Sequence, residues 1–140
     1  MFWLTFTIIA ARTLIEIIFF AIGAAVFSFM NVIIYRLPRH KGFTFGKSEC
    51  TTCHHELTYR DMVPIFSWLS LKGKCRYCGS PISPRYMLVE TIGGISAVCC
   101  TLFIGINLRA LFAFIVSAIV TVIVFIAYDK IVANVTSNND

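Results

Sequence analysis

Charge is scarce in this chain. Only 14% of its 140 residues are Asp, Glu, Lys or Arg and 58% are hydrophobic, which excludes a single water-soluble domain with a polar surface. Acids are scarcer still, seven against twelve Lys and Arg, so the formal net charge is +5. That excess does not describe a nucleic-acid binder, which needs a basic face in water, because the charges gather in one loop between apolar segments. The first residues, "MFWLTFTII", lack the positive n-region of a cleaved signal peptide. There is no low-complexity tract and no repeat beyond a pair of Cys-x2-Cys turns.

Long hydrophobic runs take the place of charge. Crossing about 30 Å of hydrocarbon takes roughly 20 apolar residues in a helix, and three segments qualify. The first is 13–35, extended upstream by "FWLTFTIIAA", with Glu16 near one end; the second is 86–106, with Glu90 in its first turns. The third is 110–128, which has no charge, and "NLR" at 107–109 reads as the tight turn before it. Nine of the twelve basic residues fall within 36–85, which places that loop on the cytoplasmic side. Asp129 then emerges at the cytoplasmic end of the third span. The expected organisation is a first segment and helix over 1–35, a loop over 36–85, two helices over 86–128, and a short cytoplasmic tail over 129–140.

Within the loop, Cys50-x2-Cys53 and Cys75-x2-Cys78 are separated by 21 residues, just beyond the usual spacing of a four-thiolate zinc site. Two such turns present four sulfurs to one tetrahedral ion, with Gly79 placed where a tight knuckle needs positive φ. His54 and His55 adjoin the first pair, but four cysteines already fill the coordination sphere. Two disulfides or free thiols are the alternatives, and a cytoplasmic loop disfavours the disulfides. Cys99 and Cys100 lie mid-helix and read as packing residues. The apolar stretch around Val63, Ile65, Phe66, Trp68 and Leu69 reads either as the cover of a small zinc domain or as an amphipathic segment at the membrane interface. The expected fold class is therefore an all-α polytopic membrane protein with about three transmembrane helices and a small cytoplasmic four-cysteine zinc-binding insertion.

"FSFMNVIIYRLPRH", followed by "CTTCHHELTYRDMVPIFSWLSLKGKCRYCGSPISPRYMLVETIGG", closely resembles the N-terminal region of the bacterial type IV prepilin peptidases, the leader peptidase and N-methyltransferase family. The resemblance covers about residues 23–95. It implies an inner-membrane enzyme that removes the basic leader from prepilins or pseudopilins of pilus, secretion or competence systems at the cytoplasmic face. It also implies methylation of the new N-terminus with S-adenosylmethionine. Family members cleave with two aspartates near cytoplasmic helix ends, and paired carboxylates can divide the roles of base and acid by sharing a proton. Asp129, in "VFIAYDKIVANV", resembles the first of them. Gly73 and Lys74 correspond to residues implicated in methyl transfer, although nothing else in this sequence suggests S-adenosylmethionine.

The departures are specific. The Ile-Pro-Asp or Ile-Pro-Asn turn expected after Asp129 is replaced by "NVTSN", and none of the eight glycines is followed by Asp, so the second catalytic motif is not found. Asp61, Glu90 and Asp140 are poor substitutes. Three readings follow. One is a prepilin peptidase completed by a separate chain, a second copy or an unrecognised carboxylate. The second is a non-catalytic zinc-stabilised membrane module that binds a prepilin or a pilus or secretion subunit. The third is a truncated remnant. In each, the lipid bilayer is a partner and nucleic acid is not.

Overall fold

The computed structural model describes residues 1–39 and 48–137. Among these residues four α-helices follow in chain order: α1 (Phe2–Arg36), the short α2 (Phe66–Ser70), α3 (Arg85–Ile104) and α4 (Leu108–Ser137). Among the described residues there are no strands, only two isolated antiparallel bridges, Glu49 with Glu56 and Lys74 with Pro81. Helices α1, α3 and α4 are long and apolar enough to cross a membrane, as their composition predicts.

The helix ends differ from the expected ones in ways that follow from backbone hydrogen bonding. α1 begins at Phe2 and so includes the upstream apolar run, where the Thr5 and Thr13 hydroxyls satisfy themselves by donating back to carbonyls in the preceding turn. The link between α3 and α4 is 105–107 rather than 107–109. Gly105 takes φ +85 to end α3, and Asn107 Oδ1 accepts the N–H groups of Arg109 and Ala110 at 2.9 and 3.1 Å, an N-cap that draws Leu108 and Arg109 into α4. α4 runs on through Ser137, so 129–137 is helix rather than tail: hydropathy marks where lipid ends, and a helix does not have to end there. Asp140 lies outside the described residues.

α1 and α3 run antiparallel in a fixed register read from their side-chain contacts. Glu16 Oε2 accepts from Thr101 Oγ1 at 2.7 Å at one end, and Asn31 Nδ2 donates to the Tyr86 carbonyl at 3.1 Å at the other. Between these contacts the backbones approach closely. A Cβ on Gly23 would sit 2.4 Å from the Gly93 carbonyl oxygen, and one on Gly93 would sit 2.3 Å from Phe27 Cγ. Small residues are the usual means of pairing helices where lipid removes the hydrophobic drive to associate. The buried core is thin, built on Phe27, Ile34, Val89 and Ala118, with Phe114 of α4 against Phe27 at a ring separation of 5.7 Å. Most other large apolar side chains of the three helices face outward.

Candidate functional site

The four cysteines converge. Their sulfurs all lie within 4.8 Å of one another, and Cys50 and Cys78, from different pairs, are 3.9 Å apart. A tetrahedral ion with thiolate bonds of about 2.3 Å needs sulfurs roughly 3.8 Å apart, so this set fits one metal ion. None is paired in a disulfide.

Each pair is built the same way. His54 N–H donates to the Cys50 carbonyl and Gly79 N–H to the Cys75 carbonyl, both at 2.9 Å, while Cys50 N–H reaches His55 O and Cys75 N–H reaches Ser80 O. The residue after the second cysteine has positive φ in both, +57 for His54 and +72 for Gly79, so His54 sits where its counterpart is glycine. His54 is therefore a turn residue, with its ring exposed beside Glu49. His55 stacks on Tyr77 with ring centroids 3.6 Å apart, joining one knuckle to the other.

The electrostatics also favour a cation at the centre. The Cys53 N–H, then that of Thr52, holds the Cys50 thiol down to about 5, and the Ser80 hydroxyl lowers Cys78. Cys53 is pushed up to about 11: the His55 N–H favours its thiolate, but desolvation and the neighbouring sulfurs of Cys78 and Cys50 outweigh it. Four thiolates this close cannot all ionise unless a positive charge sits among them.

Asp61 braces the second knuckle. Its side chain is 3% exposed and accepts from Thr58 N and Oγ1, from Arg76 Nε at 2.7 Å and from Tyr77 Oη at 3.1 Å. Burial opposes its ionisation, but those donors, Arg76 first, hold it down at about 2. With both its oxygens engaged, Asp61 acts as a brace and is poorly placed to activate a water. Gly73 also has a defined structural role. At φ +68 it lies against Trp68, whose ring a Cβ would meet at 2.8 Å, and its carbonyl accepts from Ile82 N–H. Lys74 is exposed.

α3 carries two further contacts that tie the parts together. Arg85, its first residue, donates from Nη1 to Asp129 Oδ2 on α4; the Arg85 side chain is 14% exposed and that of Asp129 26%. Five residues on, Glu90 is buried among protein groups: Ser28 Oγ of α1 donates to its Oε1 at 2.7 Å, and the Ile65 N–H of the loop donates to its Oε2 at 2.8 Å. Asn31 Oδ1 and Arg85 Nε are buried in the same region without partners among the described residues. Sequence reading missed Arg85 and Ser28. The signal available for them was a polar residue at one end of each apolar helix, which by itself names no partner.

Residues 21–104 match the bacterial peptidase A24 N-terminal domain. The chain belongs to this family. The A24 match takes in α3 and both cysteine pairs and ends at Ile104, so Asp129 lies beyond it. Curated relatives of this A24 chain include three named "Prepilin leader peptidase/N-methyltransferase". The one from Myxococcus xanthus is 34% identical over 116 residues, covering 83% of this chain and 35% of its own. The one from Klebsiella pneumoniae is 43% identical over 81 residues, covering 54% and 36%, and that from Vibrio cholerae 40% over 82 residues, covering 53% and 32%. The chain thus spans about a third of the length of these relatives. No solved structure matches it.

Proposed function

We propose that this chain is the membrane-anchored, zinc-bearing part of a prepilin leader peptidase and N-methyltransferase of the inner membrane, its cysteine loop facing the cytoplasm. The supporting observation is that one helix holds both candidate elements: α3 grips Asp129 through Arg85 and the cysteine loop through Glu90. A prepilin leader is basic and meets the membrane at its cytoplasmic face, where this helix end would bring a carboxylate and a metal-folded loop together. Zinc suits the four-sulfur set and would be structural, since no ligand position is left for substrate.

In peptide cleavage Asp129 would serve as one member of a carboxylate pair. Asp61 and Glu90 do not suit the second role, since their oxygens are already engaged by Thr58, Arg76 and Tyr77 and by Ser28 and Ile65, so the second carboxylate would come from a second copy, a separate chain or another acid of this one. Arg85 would then orient Asp129 before substrate arrives. For methyl transfer, S-adenosylmethionine supplies the methyl group; the exposed Lys74 ammonium suits its carboxylate, and Gly73 shapes the turn that carries Lys74.

A second reading, a non-catalytic docking module, draws on the same Arg85–Asp129 pair, which occupies the carboxylate. The test is mass spectrometry of a prepilin co-expressed with this chain, alone and with Asp129→Asn, in cells lacking other prepilin peptidases. Leader loss abolished by the substitution supports the peptidase. An uncut prepilin that co-purifies with the chain supports the docking module.

A further inference from the structure

α2 is apolar on two sides, and among the described residues only one of them is covered. On the inner side Trp68 packs under Gly73 and donates from Nε1 to the Ile82 carbonyl at 3.2 Å, with Leu71 three residues on, half-buried. On the outer side Phe66 and Leu69, also three apart, are 72% and 54% exposed, and Met62 and Val63 leading into the helix are exposed as well.

The loop's attachment fixes what lies outside. The Ile65 N–H is bound to Glu90, and Glu90 is five residues along α3 from Arg85, about 7.5 Å at 1.5 Å per residue. α3 has only 20 residues, about 30 Å, which is just the hydrocarbon thickness, so its first turns cannot stand clear in water. The loop has to come down to the helix. Ile65 itself is bent for this contact: it takes φ +63, ψ −52 at the centre of a γ-turn closed by Phe66 N–H to Pro64 O at 2.6 Å, a strained conformation for a β-branched residue. Leu88 and Ile92 of α3, two residues to either side of Glu90, are exposed apolar side chains as well. Exposed Arg60 and Lys72 lie on either side of the segment, as suits anionic headgroups.

We propose that residues 62–69 are an interfacial membrane anchor, with Phe66 and Leu69 inserted among lipid acyl chains near the headgroups while Glu90 holds the segment at that depth. Interfacial helices bury their apolar faces about 5–10 Å into this boundary, a span comparable with the rise from Arg85 to Glu90 along α3. The cysteine loop is then seated in the membrane surface rather than suspended above it.

The test uses the full chain reconstituted in vesicles of phosphatidylethanolamine and phosphatidylglycerol, with photoreactive p-benzoylphenylalanine at position 66, 69 or, as a control on the first knuckle, 52. Unchanged helicity and metal content establish that each variant is folded. Lipid adducts by intact mass at 66 and 69, at least fivefold above those at 52, are expected. Adducts to a second copy of the chain, no adducts at 66 and 69, or equal labelling at all three positions would overturn the proposal. A second measurement avoids substitution on the segment: in a Trp3→Phe background, Trp68 fluorescence should be quenched more by lipids brominated near the headgroup than by those brominated deep in the chains, and equal or absent quenching counts against the anchor.

Discussion

Arg85 and Asp129 are 44 residues apart in sequence and form an ion pair between the first turn of α3 and the body of α4. The pair fixes the only acid of α4 against the helix that also carries the loop. Asp129→Asn leaves a guanidinium, 14% exposed, without its counter-charge. A fully buried pair broken on one side costs roughly 3–5 kcal/mol; with Asp129 26% exposed, about 2 kcal/mol is expected. Thermal unfolding in detergent should show the double variant Arg85→Gln, Asp129→Asn to be more stable than the sum of the single losses implies. Strict additivity would mean that the pair contributes nothing.

The metal prediction concerns stoichiometry. Purified protein should carry one ion per chain by elemental analysis, zinc on the present reading. Cys50→Ser or Cys75→Ser should lose it together with the loop's protection from protease, because metal binding and folding of so small a module are one equilibrium. Cys99→Ser, in the body of α3, should keep it. His54→Gly should also keep it without loss of stability, since it places at φ +57 the residue type the second knuckle already uses.

Close helix approach gives a steric prediction. Gly93→Ala puts a methyl 2.3 Å from Phe27 Cγ and 2.6 Å from the Gly23 carbonyl, so α1 and α3 must separate. A loss of about 1–3 kcal/mol is expected, the usual cost of overpacking. Phe27→Ala, which removes Cγ, should cost less in the Gly93→Ala chain than beside Gly93 if that atom is the obstacle.

Asp61 should matter for metal retention rather than for titration. Its folded value of about 2 lies below the ordinary 3.8, so its contribution is fully present above the ordinary value and is lost as pH falls toward 2. Metal release to a chelator should therefore not report Asp61 between pH 6 and 9. Asp61→Asn weakens the contact that braces Arg76 between Cys75 and Cys78, and should speed release several-fold at neutral pH. Unchanged release kinetics would mean that the knuckle stands without it.

Much of this was legible in sequence because composition and spacing carry it. Three spans follow from runs of apolar residues, and the convergence of Cys50, Cys53, Cys75 and Cys78 follows from two Cys-x2-Cys turns. Glu90 was not legible. A glutamate in the first turns of a span reads as snorkelling to water, and only the fold reveals Ser28 and Ile65 on either side of it. Arg85 likewise counted toward loop charge until the helix packing aimed it at Asp129. Helix ends were misplaced wherever backbone caps, such as Asn107, rather than hydropathy decide them.

The register between α1 and α3 has a consequence in time. A chain made from its N-terminus delivers α1 to the bilayer with Glu16, Ser28 and Asn31 already in it. Their partners Thr101, Glu90 and Tyr86 come 85, 62 and 55 residues later. For that interval α1 is a lone helix whose Glu16, Ser28 and Asn31 wait in or near lipid without their α3 partners. Both cysteine pairs are synthesised before Glu90, so metal can close the loop first and shorten the tether on which α3 must find its mate.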